Sequence, residues 1–371
     1  MRTEKKRILV IGQTPPPFGG QALMIQTLLD GEYKNAKLYH IRMGFSKDFN
    51  DMGSFKFYKF WSLFKTIVLA WLYRFWYNTN ILYYGPSGPN KLAMYRDMLL
   101  LVPIRFLFKK TILHTHAGGS SALYKNLNPI SKFFYRLAFF KPDILITITE
   151  FSHGDDVILK PKKIFIVPNG IKDEYAIYNK ESIDMTKTKS NLLYVGAMYK
   201  ERGIVELIEA ANILKQKKIE FRLKLIGIFI LLEFETEIND LIKKYQLENY
   251  VFLPGTKIND EKWKIFNETD IFCFPTYVPS ETFGLVLVES MQFKIPIVAS
   301  RWNGIPFVVD DGDNGLLIDI KDPDELASKI EFLITNENFR KKLGENGRKK
   351  YLEKYSIDTF INNMDNIFKE V

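Results

Sequence analysis

The stretch "NLLYVGAMYKERGIVELIEA", residues 191–210, decides the fold. "NLLYVG" is a short β-rich run ending on Gly196. "AMYKERG" is a basic turn ending on Gly203, and "IVELIEA" opens a helical pattern. Strand, glycine turn and helix in that order make up part of a βαβ unit, the building block of parallel sheets. The same unit repeats outward in both directions. "RILVIG", "NILYYG", "TILHTH", "DILITI" and "KIFIVP" precede it, and "FRLKLIG", "YVFLPG", "DIFCFP" and "IPIVAS" follow, with helical patterns between. Many of these runs are apolar throughout, as strands covered by helices on both faces are.

The two series are separated by "IKDEYAIYNKESIDMTKTKS", residues 171–190, which is polar and aperiodic like a linker. With 371 residues the chain exceeds what a single core usually holds. The expected organisation is a first domain over 1–175, a linker over 176–190, a second domain over 191–355 and a terminal helix over 356–371 packing back on the first domain. The fold class is α/β, with two Rossmann-like, doubly wound parallel-sheet domains facing a central cleft. Ligands of such sheets bind at the carboxyl ends of the strands.

Composition excludes several classes. The single cysteine, Cys273, leaves no disulfide framework and points to a reducing compartment, the cytosol. The start "MRTEKKRILVIGQTPPP" meets three prolines after an apolar run too short for a signal peptide, so it reads as mature. "WSLFKTIVLAWLYRFW" is interrupted by Lys65 and Arg74, short of the ~18 uncharged residues that span a bilayer.

Residues 1–170 carry 24 Lys and Arg against 10 Asp and Glu, whereas the remainder carries 28 against 33. A basic first half suggests an anionic partner. Its charges alternate with large aromatics in "FKFYKFWSLFKTIVLAWLYRFWYN" and "KFFYRLAFFK", as in interfacial helices, although aromatic core helices would read the same way. No nucleic-acid module signature is present, so an anionic membrane surface is the expected partner and nucleic acid is not.

Chemistry is expected at the strand ends. Gly19 and Gly20 precede a helix start that could receive a diphosphate, without the full G-x-G-x-x-G pattern that NAD requires. In "TILHTHAGGS", His114 and His116 share a face of the strand. They could ligate zinc, pair with each other, or be a core residue beside a ligand-contacting one, and no Asp, Glu or Cys stands at ligand spacing. Arg202, with Lys200 nearby, stands between Gly196 and Gly203 at a strand-to-helix junction, suited to clamping phosphate. In "ETFGLVLVES", Glu281 precedes a helix and Glu289 lies in its second turn. Eight residues of helix separate them by ~80° and ~12 Å, too far for a two-carboxylate metal site but suited to the two ends of a long ligand. "DGD", Asp311 to Asp313, reads as a turn in its Asn-Gly context.

Glu281, Phe283-Gly284 and Glu289, followed by "IPIVASRWNGIPFVVDDGDNGLL", resemble the signature of the retaining GT-B glycosyltransferases of family four. "TPPPFGGQALM", "LHTHAGG", "IFIVPNGI" and "YVGAMYKERG" are similar to further blocks of that family in the same order. The resemblance implies a nucleotide-sugar donor, UDP- or GDP-linked, and a glycan acceptor; the basic, aromatic-rich first half suggests that the acceptor is a lipid-linked, polyprenyl-diphosphate oligosaccharide, as in capsule, O-antigen or exopolysaccharide assembly. It implies catalytic roles for His116, Glu281 and Arg202. It implies donor contacts from Gly19, Gly20, Gly196, Lys200, Arg202, Glu281, Phe283, Gly284 and Glu289, with no metal and no cofactor. The enzyme would be cytoplasmic and peripheral on the inner face of the plasma membrane. The chain departs from the pattern at Ala197, where the family has a second phosphate-binding Arg, and at Asn303 and Phe307, which replace a Gly and a Glu of a "GGIPE" loop. Ala197 and Phe307 leave open a non-catalytic nucleotide-sugar or glycan-binding protein; a second alternative is an NAD(P)-dependent sugar-nucleotide epimerase or reductase, against which the absence of the full glycine fingerprint argues.

Overall fold

A computed structural model describes residues 4–16, 19–44, 57–119, 121–151, 154–178 and 189–371. The chain divides into two compact units, Met1–Gly170 with Ile357–Val371, and Ile171–Ser356. Residues 171–175, expected with the first domain, and residue 356, expected with the tail, group with the second unit. Ile171 bridges to Ser356 and its carbonyl accepts from Tyr351 Oη at 3.0 Å, while Arg348 grips the Asp173 carboxylate at 2.8 and 2.6 Å. These partners are about 180 positions away, so local composition does not announce them. Residues 179–188 of the expected linker lie outside the described residues.

The first unit holds β1 (Lys6–Gly12), β2 (Ala36–Arg42), β3 (Ile81–Tyr84), β4 (Lys110–Thr115), β5 (Ile144–Thr147) and β6 (Lys163–Ile166). Their order is β2-β1-β3-β4-β5-β6 with every neighbouring pair parallel, so the chain reverses its direction of winding between β1 and β3. The second unit holds β7 (Ser190–Val195), β8 (Phe221–Ile226), β9 (Val251–Gly255), β10 (Ile271–Phe274), β11 (Ile297–Ser300) and β12 (Gly315–Ile318). Its order, β12-β11-β10-β7-β8-β9, again all parallel, puts the reversal between β7 and β10. Crevices open at such reversals because the crossover helices on the two sides cover opposite faces. Two strands lay outside the sequence expectation, β2 and β12, and both are sheet edges. β2 mixes polar and apolar residues, and β12 follows directly on the turn at 312–314.

Alternation along β1 sends Leu9 and Ile11 into one core and Ile8 and Val10 into the other, on opposite faces of the first sheet. Helices Phe57–Trp76, Lys91–Leu101 and Pro129–Phe139 cover the first face with Leu63, Ala70, Met94, Met98, Tyr135 and Ala138. Helices Gly20–Asp30 and Ile357–Glu370 cover the second. The terminal helix presents Phe360, Met364, Ile367 and Phe368 at the i, i+4, i+7, i+8 spacing of one face, each at most 3% exposed. Burying each is worth ~1.5–3 kcal/mol. Asp365 fixes the helix axially, accepting from the Asn35 backbone and side chain, both at 2.9 Å. No helix among the described residues is long and apolar enough to cross a membrane.

Candidate active site

In the second unit the residues after β7 and after β10 meet at the winding reversal. Gly203 makes this possible. Its φ of +72° ends the turn Lys200–Arg202 in a left-handed conformation, and a Cβ there would lie 2.1 Å from the Pro275 carbonyl oxygen beyond β10. The turn is tied down by Tyr277 N and Thr276 Oγ1, which donate to the Glu201 carbonyl at 2.8 and 3.3 Å.

Arg202 and Glu281, 79 positions apart, therefore touch: Nη1 donates to Oε2 at 2.6 Å. Their side chains are only 23% and 12% exposed. Burial acts to lower the Arg202 pKa, but the Glu281 carboxylate and neighbouring tyrosines prevail and hold it above its ordinary value. Arg202 Nε is buried with no hydrogen-bond partner among the described residues. The helix that follows, Ile204–Gln216, has no side-chain cap at its start, and neither has Leu285–Gln292 after Gly284. First-turn N–H groups and the positive dipole ends of two helices are thus left for an anion.

Glu289 has its own cation. Lys262, on helix Asn259–Asn267 after β9, donates from Nζ to Glu289 Oε1 at 2.6 Å and lies 4.6 Å from the centre of the Trp263 ring. Glu289 Oε2 is buried and unpartnered among the described residues. Sequence reasoning missed Lys262. No local signal marks it, because the pair spans 27 positions and two crossovers.

Other expected residues divide between ligand-facing and framework positions. Phe283 is 3% exposed and packs edge-on against Tyr355 at 5.6 Å, so its side chain belongs to the core and only its backbone is available to a ligand. Lys200 is exposed. Tyr194 Oη, beneath Gly196, donates to the Ala197 carbonyl at 3.0 Å. Asn303 stands at φ +47°, the left-handed region that glycine and asparagine share, so replacing the first glycine of the loop keeps the backbone course. Its Nδ2 donates to the Pro279 carbonyl at 2.9 Å, fastening this loop to the one that carries Glu281. Asp311 to Asp313 form a turn. Asp311 accepts from Arg301 and Leu317 N, and Asp313 Oδ1 accepts from Asn346.

In the first unit, Gln21 Nε2 from the helix after β1 donates to the Gly85 carbonyl after β3 at 2.7 Å, closing the loops at that reversal. The start of helix Gly20–Asp30 at Gly19 carries no side-chain cap. His114 is fully buried, and Tyr83 Oη lies 2.5 Å from its Nδ1. The His116 ring lies against His114 at a tilt of 32°, centroids 4.0 Å apart. Burial lowers the His116 pKa to about 4, with Asn169 beside it acting the other way, so the ring is neutral at neutral pH. Both of its nitrogens and Asn169 Oδ1 are buried close together without a well-formed hydrogen bond among the described residues, a group of polar atoms that a polar ligand would satisfy.

The glycine loop after His116 is held by a residue that sequence reasoning missed. Asp155, fully buried, accepts from Gly119 N at 3.3 Å, Ser121 N at 3.1 Å and Ser121 Oγ. Among the described residues no group of three or more His, Cys, Asp or Glu side chains could hold a metal ion.

The sequence profile of the family described as Glycosyl transferases group 1 matches residues 178–350. An uncharacterized glycosyltransferase of Methanocaldococcus jannaschii is 32% identical over 254 residues, 68% of this chain and 67% of its own. The capsular polysaccharide biosynthesis glycosyltransferase CapM of Staphylococcus aureus is 30% identical over 175 residues; the match spans 47% of this chain and less than half, 44%, of CapM. In structure, the Anabaena protein HepE in complex with UDP aligns with a TM-score of 0.74 over 98% of this chain and 100% of its own. At 16% identity that likeness shows the fold, which is GT-B: two doubly wound parallel sheets in one chain.

Proposed function

The chain belongs to the glycosyl transferases group 1 family, and we propose that it moves a hexosyl-type sugar, with retention, from a UDP- or GDP-sugar to a hydroxyl of a glycan acceptor. The observation that carries this reading is the arrangement at the β7/β10 reversal: two glutamates, each paired with its own cation, flank two uncapped helix starts. Glu289 contacts the nucleotide ribose and Glu281 the donor sugar. Arg202 and the helix starts stabilise the charge that develops on the diphosphate as the bond from the anomeric carbon to the phosphate oxygen breaks. The acceptor oxygen attacks the same face of the sugar, and its proton passes to the departing phosphate. Fixed protein charge takes the place of a metal in this scheme. Neutral His116, with its free nitrogens, contacts the sugar near the reacting carbon as a hydrogen-bonding group rather than a cation.

The similarity to the capsular polysaccharide biosynthesis glycosyltransferase CapM and to HepE in complex with UDP supports a surface-polysaccharide role and a uridine nucleotide. A lipid-linked acceptor places the work of the enzyme at the cytoplasmic face of a membrane, a reading supported by the exposed aromatics of helix Phe57–Trp76. Residues 55 and 56 of the segment that first suggested it lie outside the described residues.

A thermal-shift panel of UDP-, GDP-, ADP- and CMP-sugars tests the site, since a ligand of the native state raises Tm by mass action. One nucleotide class should raise Tm, and Glu289→Ala should remove the shift. A shift that survives Glu289→Ala would place the nucleotide elsewhere, and neither hydrolysis nor transfer with any donor would leave a binding protein.

A further inference from the structure

Three helices of the first unit carry apolar residues on both sides. Their inner stripes face the sheet, and each has an outer stripe exposed to solvent. In helix Phe57–Trp76 the outer stripe is Trp61, Phe64, Val68, Trp71 and Phe75. In Lys91–Leu101 it is Leu92, Tyr95 and Leu99, and in Pro129–Phe139 it is Ile130, Phe133 and Leu137. Steps of three and four keep each set on one helix face, so these are continuous surfaces rather than scattered exposed side chains. Neighbouring elements join them. The Trp71 ring meets Phe106, which is 69% exposed, at 5.8 Å, and Tyr95 Oη lies 3.4 Å from Ser131 Oγ.

The charge around this layer has one sign. Residues 52–142 contain 13 Lys and Arg and a single acidic residue, Asp97. Asp97 is fully buried and paired with Arg96 at 2.7 Å, so none of the helices of this layer shows solvent a carboxylate.

We propose that this whole helical layer, rather than helix Phe57–Trp76 alone, is the face by which the first unit docks on an anionic lipid bilayer. The three stripes and Phe106 enter the boundary between headgroups and acyl chains, and the surrounding Lys and Arg meet lipid phosphates. The proposal rests on the membrane reading above for its partner and adds the surface. A second copy of the chain fits poorly, since two such faces would oppose like charge. Nucleic acid would make no use of Leu92, Leu99, Ile130 and Leu137, which neither stack on bases nor pair with phosphate.

The test is flotation of the full chain with phosphatidylcholine vesicles with and without phosphatidylglycerol, and with brominated lipid to quench tryptophan. Three of the five tryptophans, Trp61, Trp71 and Trp76, are exposed on helix Phe57–Trp76. The protein should float only with the anionic vesicles and be quenched by brominated lipid. Phe106→Glu with Leu99→Glu, and separately Ile130→Glu with Phe133→Glu, should each weaken partitioning at least tenfold, with Tm and the nucleotide-sugar shift unchanged. Binding undiminished by these pairs but lost with Trp61→Glu and Phe75→Glu would overturn the layer in favour of the single helix. No binding to either vesicle, or concentration-dependent dimers relieved by the same substitutions, would overturn the membrane reading itself. Neither result would touch the transfer reaction, which is assayed with soluble donor.

Discussion

Arg202 and Glu281 form a 2.6 Å ion pair, although one was expected to hold the phosphates and the other the sugar. Glu281 orients and partly neutralises Arg202, and an arriving diphosphate must compete with that carboxylate. Glu281→Gln should therefore bind UDP or GDP alone more tightly, by about threefold to tenfold, because a negative charge beside the anion site is gone. Turnover should fall by ~100-fold or more, because the contact with the sugar is lost at the same time. Calorimetry of nucleoside diphosphate binding and initial rates separate the two effects. Weaker nucleotide binding would mean that Glu281 serves the site only by holding Arg202 in place.

Lys262→Met leaves Glu289 partly buried without its cation. The expected cost is ~2 kcal/mol in urea unfolding, in line with removing one partner of a sheltered pair. The KM for donor should rise more than kcat falls, since the ribose contact is remote from the reacting carbon. An unchanged KM with lowered stability would make the pair purely structural.

Asp155→Ala removes the acceptor for three buried donors of the loop from Gly119 to Ser121. Stability should drop by ~2–4 kcal/mol, with Asp155→Asn intermediate because one acceptor oxygen remains. Hydrogen exchange should show the loss of protection concentrated at Gly119 and Ser121.

The pKa of His116 is lowered from an ordinary 6.5 to about 4, so between these values the unfolded chain binds the proton and the folded protein does not. Stability from this group is complete above pH 6.5 and is lost as pH falls toward 4. His114, lowered by burial and then by the nearby His116, acts in the same direction. Urea midpoints from pH 7 to pH 4 should fall more steeply for the wild type than for His116→Asn. Parallel curves would mean that the ring titrates normally.

The periodic runs of the chain made ten of the twelve strands of the described residues legible, along with the parallel α/β class and the strand ends where chemistry belongs. Apolar strands bounded by glycine turns are a local property, so Gly196, Gly203 and the Glu281–Glu289 spacing could be read directly. The edge strands β2 and β12 could not, β2 being mixed in polarity and β12 following directly on the turn at 312–314. Nor could the partners. Lys262 for Glu289, Asp155 for the glycine loop, and Tyr83 for His114 lie 27 to 36 positions away and are brought together by crossovers, whose outcome depends on sheet order rather than on neighbouring letters.

The same division holds for the surface. Sequence alone determined that the first half is basic and aromatic, because composition needs no coordinates. Whether those aromatics lay in a core or faced solvent was decided only by tertiary structure, since each helix carries two apolar stripes and the sheet can bury only one of them.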